Sequence, residues 1–260
     1  MLQFSLVEQI ALALFLLSGI SFFLYHLLLR LRIVLKGKSN FSVDELPKRI
    51  IRVFDEVILH KKVASGKRKS AGILHALVMY GFIFFGLITI NHFGMAFGLP
   101  IFSESFRHTY FLIFGAPWAI LCTISILGLA YRRFVIKPEA LGKFSSTSAL
   151  VSVFIVTLMT TYLIDELHIL TGAAEKFNWW LHSGVIGGFL FLIPQSKHMH
   201  LVLSPFNIFL RPFEVPNHGA IPIDMEASEE ELDNLLLDLS RLSKDQALDI
   251  FTCVECGRCT

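Results

Sequence analysis

Apolar residues run in five long stretches, at about residues 6–29, 72–97, 109–131, 148–170 and 179–202. A helix needs about 20 mostly apolar residues to cross the hydrocarbon core of a bilayer, and each stretch is long enough. The pattern predicts an all-α membrane protein with a bundle of five transmembrane helices. The first stretch has too long an apolar core for a signal peptide and nothing basic before it, so it predicts a retained span. Between the first two spans, FSVDELPKRIIRVFDEVILHKKV puts Leu46, Ile50, Ile51, Phe54, Val57 and Ile58 on one face at helical spacing. An amphipathic helix over about 41–63 is expected there, on the cytoplasmic membrane interface or against the tail. A solvated basic linker is the plainer alternative.

After the fifth stretch the pattern changes. Residues 204–224 hold four prolines, residues 226–250 form an acidic tract with helical character, and the chain closes on FTCVECGRCT. The expected division is a membrane domain over 1–203 and a cytoplasmic tail over 204–260. The tail would be the start of a ferredoxin-like iron–sulfur domain.

Composition agrees with the membrane reading. Of the 260 residues 54% are hydrophobic and 17% charged, with mean hydropathy +0.62. Soluble domains average about 25% charged, so an ordinary soluble enzyme is excluded. There is no internal repeat, no low-complexity tract and no phosphate-binding glycine motif, and no nucleic-acid partner is expected. The placement of charge says more than its total. The connection at 30–71 carries 12 of the 23 Lys and Arg residues. Arg132, Arg133, Lys137 and Lys143 follow the third span, and five more follow the fifth, leaving only Arg107 and Lys176 on the other side. The positive-inside rule then puts the N-terminus outside and the tail in the cytoplasm.

Three cysteines, Cys253, Cys256 and Cys259, form C-x-x-C-x-x-C, with Gly257 after the second. This spacing opens the bacterial [4Fe–4S] run, whose fourth cysteine stands four positions on and precedes a proline. Zinc also takes C-x-x-C pairs, but three evenly spaced thiolates favour the cluster. The fourth ligand would fall past Thr260, so the natural protein is expected to continue, and these residues alone are not expected to be active. Cys122, within the third span, reads as a small buried hydrophobe.

Ionisable residues inside a membrane default to functional hypotheses. His75 and His92 lie near opposite ends of the second span, His182 and His200 near opposite ends of the fifth. The separations of 17 and 18 residues correspond to about 25 and 27 Å along a helix. Antiparallel spans would thus offer two imidazole pairs at two depths, which suits haem iron with two axial ligands. Nearby Gly72, Gly81, Gly86, Gly184, Gly187 and Gly188 would leave room for a macrocycle or for close helix contact. At roughly 100° per residue, His182 and His200 share a face of one continuous fifth helix and His198 falls opposite, unless Pro194 kinks the helix. His75 and His92 differ by about 100°, which weakens the outer pair and keeps His168 as a reserve ligand. The bland alternative is that interfacial histidines anchor helix ends. His26, His60, His108 and His218 read as structural or solvated.

The stretch HSGVIGGFLFLIPQSKHMH resembles helix five of the cytochrome b (gamma) subunit of respiratory nitrate reductase, with His75 matching that family's inner ligand on helix two. The whole chain is more similar still to heterodisulfide-reductase-type membrane iron–sulfur oxidoreductases, in which such a domain precedes a cytoplasmic iron–sulfur domain. PKRIIRVFDEVILHKKV, RRFVIKPEAL, WWLHSGVIGGFLFLIPQSKHMH and QALDIFTCVECGRC carry that likeness over nearly the full length. One departure is Phe85, where the nitrate reductase pattern has its second helix-two histidine. The resemblance implies one or two b-type haems, [4Fe–4S] clusters, a quinone such as menaquinone, and a soluble partner such as electron-transfer flavoprotein. It implies a quinone-linked respiratory oxidoreductase of a prokaryotic cytoplasmic membrane. Asp165, Glu166 and His168 would pass protons at an outer site or belong to a solvated loop. A cofactor-free anchor that docks a soluble reductase is the alternative function. A transporter would show repeats and charges at the bilayer midplane, which are absent from the sequence.

Overall fold

The computed structural model describes residues 2–37, 44–65, 69–142, 144–213 and 242–254, and no strand occurs among them. In chain order the helices are α1 (Leu6–Leu35), α2 (Leu46–Val53), α3 (Lys69–Ala96), α4 (Glu104–Tyr110), α5 (Ala116–Tyr131), α6 (Ser146–Glu166), α7 (Ala173–Leu192), α8 (His200–Leu210) and α9 (Lys244–Thr252). Single π-helical turns extend α2 over Phe54–Ile58, join α4 to α5 over Phe111–Gly115, and extend α5 over Arg132–Ile136. Four stretches are long and apolar enough to cross a membrane: Leu6–Leu35, Lys69–Ala96, Glu104–Ile136 and Ser146–Glu166.

The fifth expected span takes a different form. No single helix covers 179–202. Helix α7 begins earlier, at Ala173, and stops at Leu192; a 3-10 turn at Lys197–Met199 follows, and α8 starts at His200. Pro194 is the physical reason, because it lacks an N–H and its ring would strike the Leu190 carbonyl if the helix went on. Ser196 then restarts the chain by accepting from the His198 N–H at 3.2 Å. His182 and His200 therefore sit on separate helices, and the shared face expected for them does not exist.

The chain forms two compact units. The first comprises the described residues of 1–21 and 62–191, and the second those of 22–61 and 192–256. In the first, α3 packs along α5 and α5 along α6. Gly81 permits the first contact, since a Cβ there would fall 2.2 Å from the Cys122 Sγ. Gly187 likewise lies against the Phe15 ring, which a Cβ would meet at 2.1 Å. These glycines serve close helix contact; Gly86 and Gly184 have open space beside them. Cys122 is buried, as expected.

In the second unit Val34, Met199, Leu203, Ala247 and Leu248 form the core shared by α1, α8 and α9. A capping box starts α9: the Ser243 Oγ accepts from the Gln246 N–H, and the Gln246 Oε1 from the Ser243 N–H. Asn207 of α8 donates to Asp249 Oδ1 at 2.8 Å and to Thr252 Oγ1 at 2.7 Å, which fixes the end of α9 just before Cys253. Arg49 of α2 is 2% exposed. Its guanidinium donates to the carbonyls of Asp44 (2.7 Å), Phe209 (2.8 Å) and Arg211 (3.2 Å). The fork thus closes carbonyls left open at the end of α8, where a cation is favoured.

His60 ends the π turn of α2 in the left-handed region (φ +50°) and is 5% exposed. Burial pushes its imidazole below the ordinary value of 6.5, against hydrogen bonds to the Val57 and Ile58 carbonyls that favour the charged form. The folded segment thus binds a proton less readily than the unfolded chain. Its stability is full above about pH 6.5 and is lost as pH falls below that value. Amides of 54–61 are expected to exchange faster, after correction for intrinsic rates, at about pH 5.5 than at about pH 7.5. His60→Asn, which tolerates the left-handed backbone, should flatten that dependence.

Candidate functional site

A cavity of about 350 Å³ opens within the first unit, walled by residues of α3, α4, α6 and α7. Local chemistry explains the position of its α3 side. Gly98 (φ +71°) ends that helix, with the Leu99 N–H reaching back to the Gly94 carbonyl at 2.8 Å. Asn91, 1% exposed, accepts from the Ile101 and Phe102 N–H groups, both at 2.9 Å. Gln9 donates to the Ala96 carbonyl at 2.9 Å. The last turn of α3, which carries His92, is therefore held at both ends.

His92 and His182 face each other there, with ring centroids 5.0 Å apart and planes tilted by 56°. His92 also stacks on Trp179 at 4.7 Å. Its Nε2 lies 2.9 Å from the Ser183 Oγ. The Nδ1 of His182 lies 2.7 Å from the Thr161 Oγ1. The Thr161 hydroxyl also lies 2.7 Å from the Thr157 carbonyl, to which it donates in the tautomer where its oxygen receives the Nδ1–H of His182. In that tautomer the His182 lone pair is on Nε2. Asn178 donates to the Thr161 carbonyl at 3.0 Å and ties α7 to α6 at this level.

The polar side of the cavity is an ion pair. Arg107 Nη2 lies 3.1 Å from Glu166 Oε1, with both side chains largely buried. Asp165 and His168 also line the cavity, His168 exposed at its rim with φ +51°. Phe85, which stands where the nitrate reductase pattern has a histidine, packs edge-on against Tyr162 at 5.1 Å and forms part of the wall.

Two imidazoles are donors that haem iron takes, and with ring centroids 5.0 Å apart this pair would have to part for a macrocycle to lie between them. His182 has the support expected of a ligand, one ring N–H held by a neighbouring oxygen and the other nitrogen presented. His92 offers Nε2 once the Ser183 hydroxyl turns away. The remaining expected residues are placed as follows. His75 is half-buried on α3, in the first unit. His200 begins α8, in the second unit, and its Nδ1–H donates to the Lys197 carbonyl at 2.9 Å. His198 turns its Nδ1 to the Ser196 Oγ at 3.1 Å. Cys253 is exposed directly after α9. Cys256, Cys259 and His218 lie outside the described residues.

Sequence reasoning does not single out Thr161, Ser183, Asn178 or the Arg107–Glu166 pair. The available signal was the polar residues themselves, which are costly within apolar helices unless each has a partner.

No family model and no solved structure matches the chain. Two curated proteins do. The probable iron–sulfur-binding oxidoreductase FadF of Bacillus subtilis is 29% identical over 269 residues, covering 92% of this chain and 37% of that protein. The EtfAB:quinone oxidoreductase of Syntrophomonas wolfei is 23% identical over 285 residues, covering 92% of this chain and 38% of that protein. The chain thus spans little more than a third of the length of either relative, and it is similar to both over nearly all of its own.

Proposed function

We propose that this chain is the membrane arm of a quinone-linked iron–sulfur oxidoreductase, carrying electrons between a soluble flavoprotein and the quinone pool of a prokaryotic cytoplasmic membrane. The observation that carries the reading is the His92–His182 pair lining one cavity, with hydroxyl groups already placed on both rings. The names of the two relatives support the iron–sulfur, quinone and flavoprotein components. In this reading α7 is the fifth span. Its 20 residues cover about 30 Å, the thickness of the hydrocarbon core. The N-terminus is then outside and the tail cytoplasmic, in keeping with the distribution of Lys and Arg.

Haem b bound by these histidines, and a [4Fe–4S] cluster bound by Cys253, Cys256 and Cys259, would supply one-electron carriers. His92 and His182 would hold the outer haem. Thr161 orients His182 and keeps its proton on Nδ1. Arg107 and Glu166 neutralise each other, and Asp165 and His168 are the lining groups proposed to accept protons from a quinol, with Glu104, His108 and Glu175 also on the lining.

The test is a reduced-minus-oxidised visible spectrum of the detergent-solubilised protein, with haem per chain measured as the pyridine haemochrome. A b-type α band is expected. Its absence from folded protein made in haem-sufficient cells would leave a cofactor-free anchor. Thr161→Val is expected to weaken retention of the outer haem by about 10–100-fold, measured as transfer to apomyoglobin, and to move its midpoint potential. Thr161→Ser should restore both. A purely packing role for Thr161 would give the opposite pattern, with valine tolerated and serine not.

A further inference from the structure

Helix α2 is amphipathic in the sense opposite to a core helix. Its arginines point inward and its large apolar side chains point out. Arg49 is 2% exposed, whereas Leu46, Ile50, Ile51 and Phe54 are 51%, 56%, 61% and 52% exposed, and Ile58 and Leu59 continue the exposed face. The inward face is fully occupied. Arg49 holds three carbonyls, Arg52 donates to the Arg211 carbonyl at 2.5 Å and lies 3.6 Å over the Phe213 ring, and Arg211 pairs with Glu56 at 2.7 Å. The polar side is therefore committed to the end of α8, and the apolar side is what the helix offers outward.

We propose that this face lies in the boundary between headgroups and acyl chains of the bilayer, so that α2 is an interfacial anchor clamped to the C-terminal end of α8. The proposal rests on the membrane-spanning reading of α1 and α3. Ten residues separate α2 from the end of α1, and ten separate its π turn from the start of α3. Each connection reaches at most about 36 Å when fully extended, so α2 is tethered close to the membrane surface on both sides. Lys48, Lys61 and Lys62 flank the apolar face, on the side that the positive-inside rule turns toward anionic lipid. A charged face with Leu, Ile and Phe opposite is the composition of a helix lying in the interface plane.

The test uses the full chain in lipid nanodiscs. Phe54→Trp and, separately, Ile51→Trp report as difference emission over the three native tryptophans. Both positions are exposed, so the fold should accept them. Lipids brominated at shallow acyl positions are expected to quench each reporter about twofold, deep-brominated lipids less, and aqueous acrylamide little. Quenching by acrylamide but not by lipid would place the face in solvent and overturn the proposal. Quenching by neither would place a protein segment over the face and overturn it equally. Ile124→Trp, on the exposed side of α5, separates the two readings. Deep-brominated lipid should quench it, and failure there would overturn the membrane reading itself.

Discussion

His182→Leu protein is expected to purify folded but without the outer haem, lowering the pyridine haemochrome by about one equivalent per chain. Leucine is close in volume to imidazole and keeps the α6–α7 packing, while Thr161 loses its partner. The predicted loss is all-or-none because no other imidazole stands at the same point. The other histidines on the cavity lining, His108 and His168, are both exposed, so His168→Leu should leave haem content unchanged. His92→Leu should match His182→Leu, because the rings act as a pair 5.0 Å apart. A haem content equal to the parent's in both single variants would remove the outer site from the proposal.

Arg49→Met is expected to loosen the second unit by about 3 kcal/mol. Three carbonyls lose a charged donor in a site that is 2% exposed, and each such bond is worth about 1.5–3 kcal/mol, with partial repair by water. Hydrogen exchange over α2 and the end of α8 reads this directly. Since about 1.4 kcal/mol is tenfold in an equilibrium, the openings should become about two decades more frequent. Arg49→Lys should recover only part of the loss, because an ammonium on a flexible stem cannot serve the three acceptors that the planar fork reaches. A change of less than about threefold would mean that Arg52, already on the Arg211 carbonyl, is the true clamp.

The apolar runs made the helices legible. Four of the five predicted stretches coincide with helices long enough to cross a membrane, because length and hydropathy are properties of a segment by itself. The fifth departs from expectation at Pro194, where a local rule outweighs an attractive 18-residue histidine spacing. The outer site was half legible. His92 and His182 could be named from their places in apolar helices, but the angle that weakens His92 compares it with His75 on its own helix. What decides the site is where α7 comes to lie, which periodicity along α3 does not encode. Thr161 and Ser183 escape notice for the same reason, since their worth depends on which ring each reaches. Arg49 shows the limit most plainly. In sequence it is one of twelve cations in a basic connection; in the fold it is buried, at carbonyls some 160 positions away.

The break at Pro194 has a consequence for how such chains tolerate insertions. In a continuous helix, one residue added between His182 and His200 would swing the second imidazole by about 100° and move it by about 1.5 Å. Here the Ser196 cap restarts the count, so an error of register in α7 ends at the turn. Each histidine takes its bearing from its own helix, and what resists a change of length between them is the burial of Pro194 and Met199 rather than helical register.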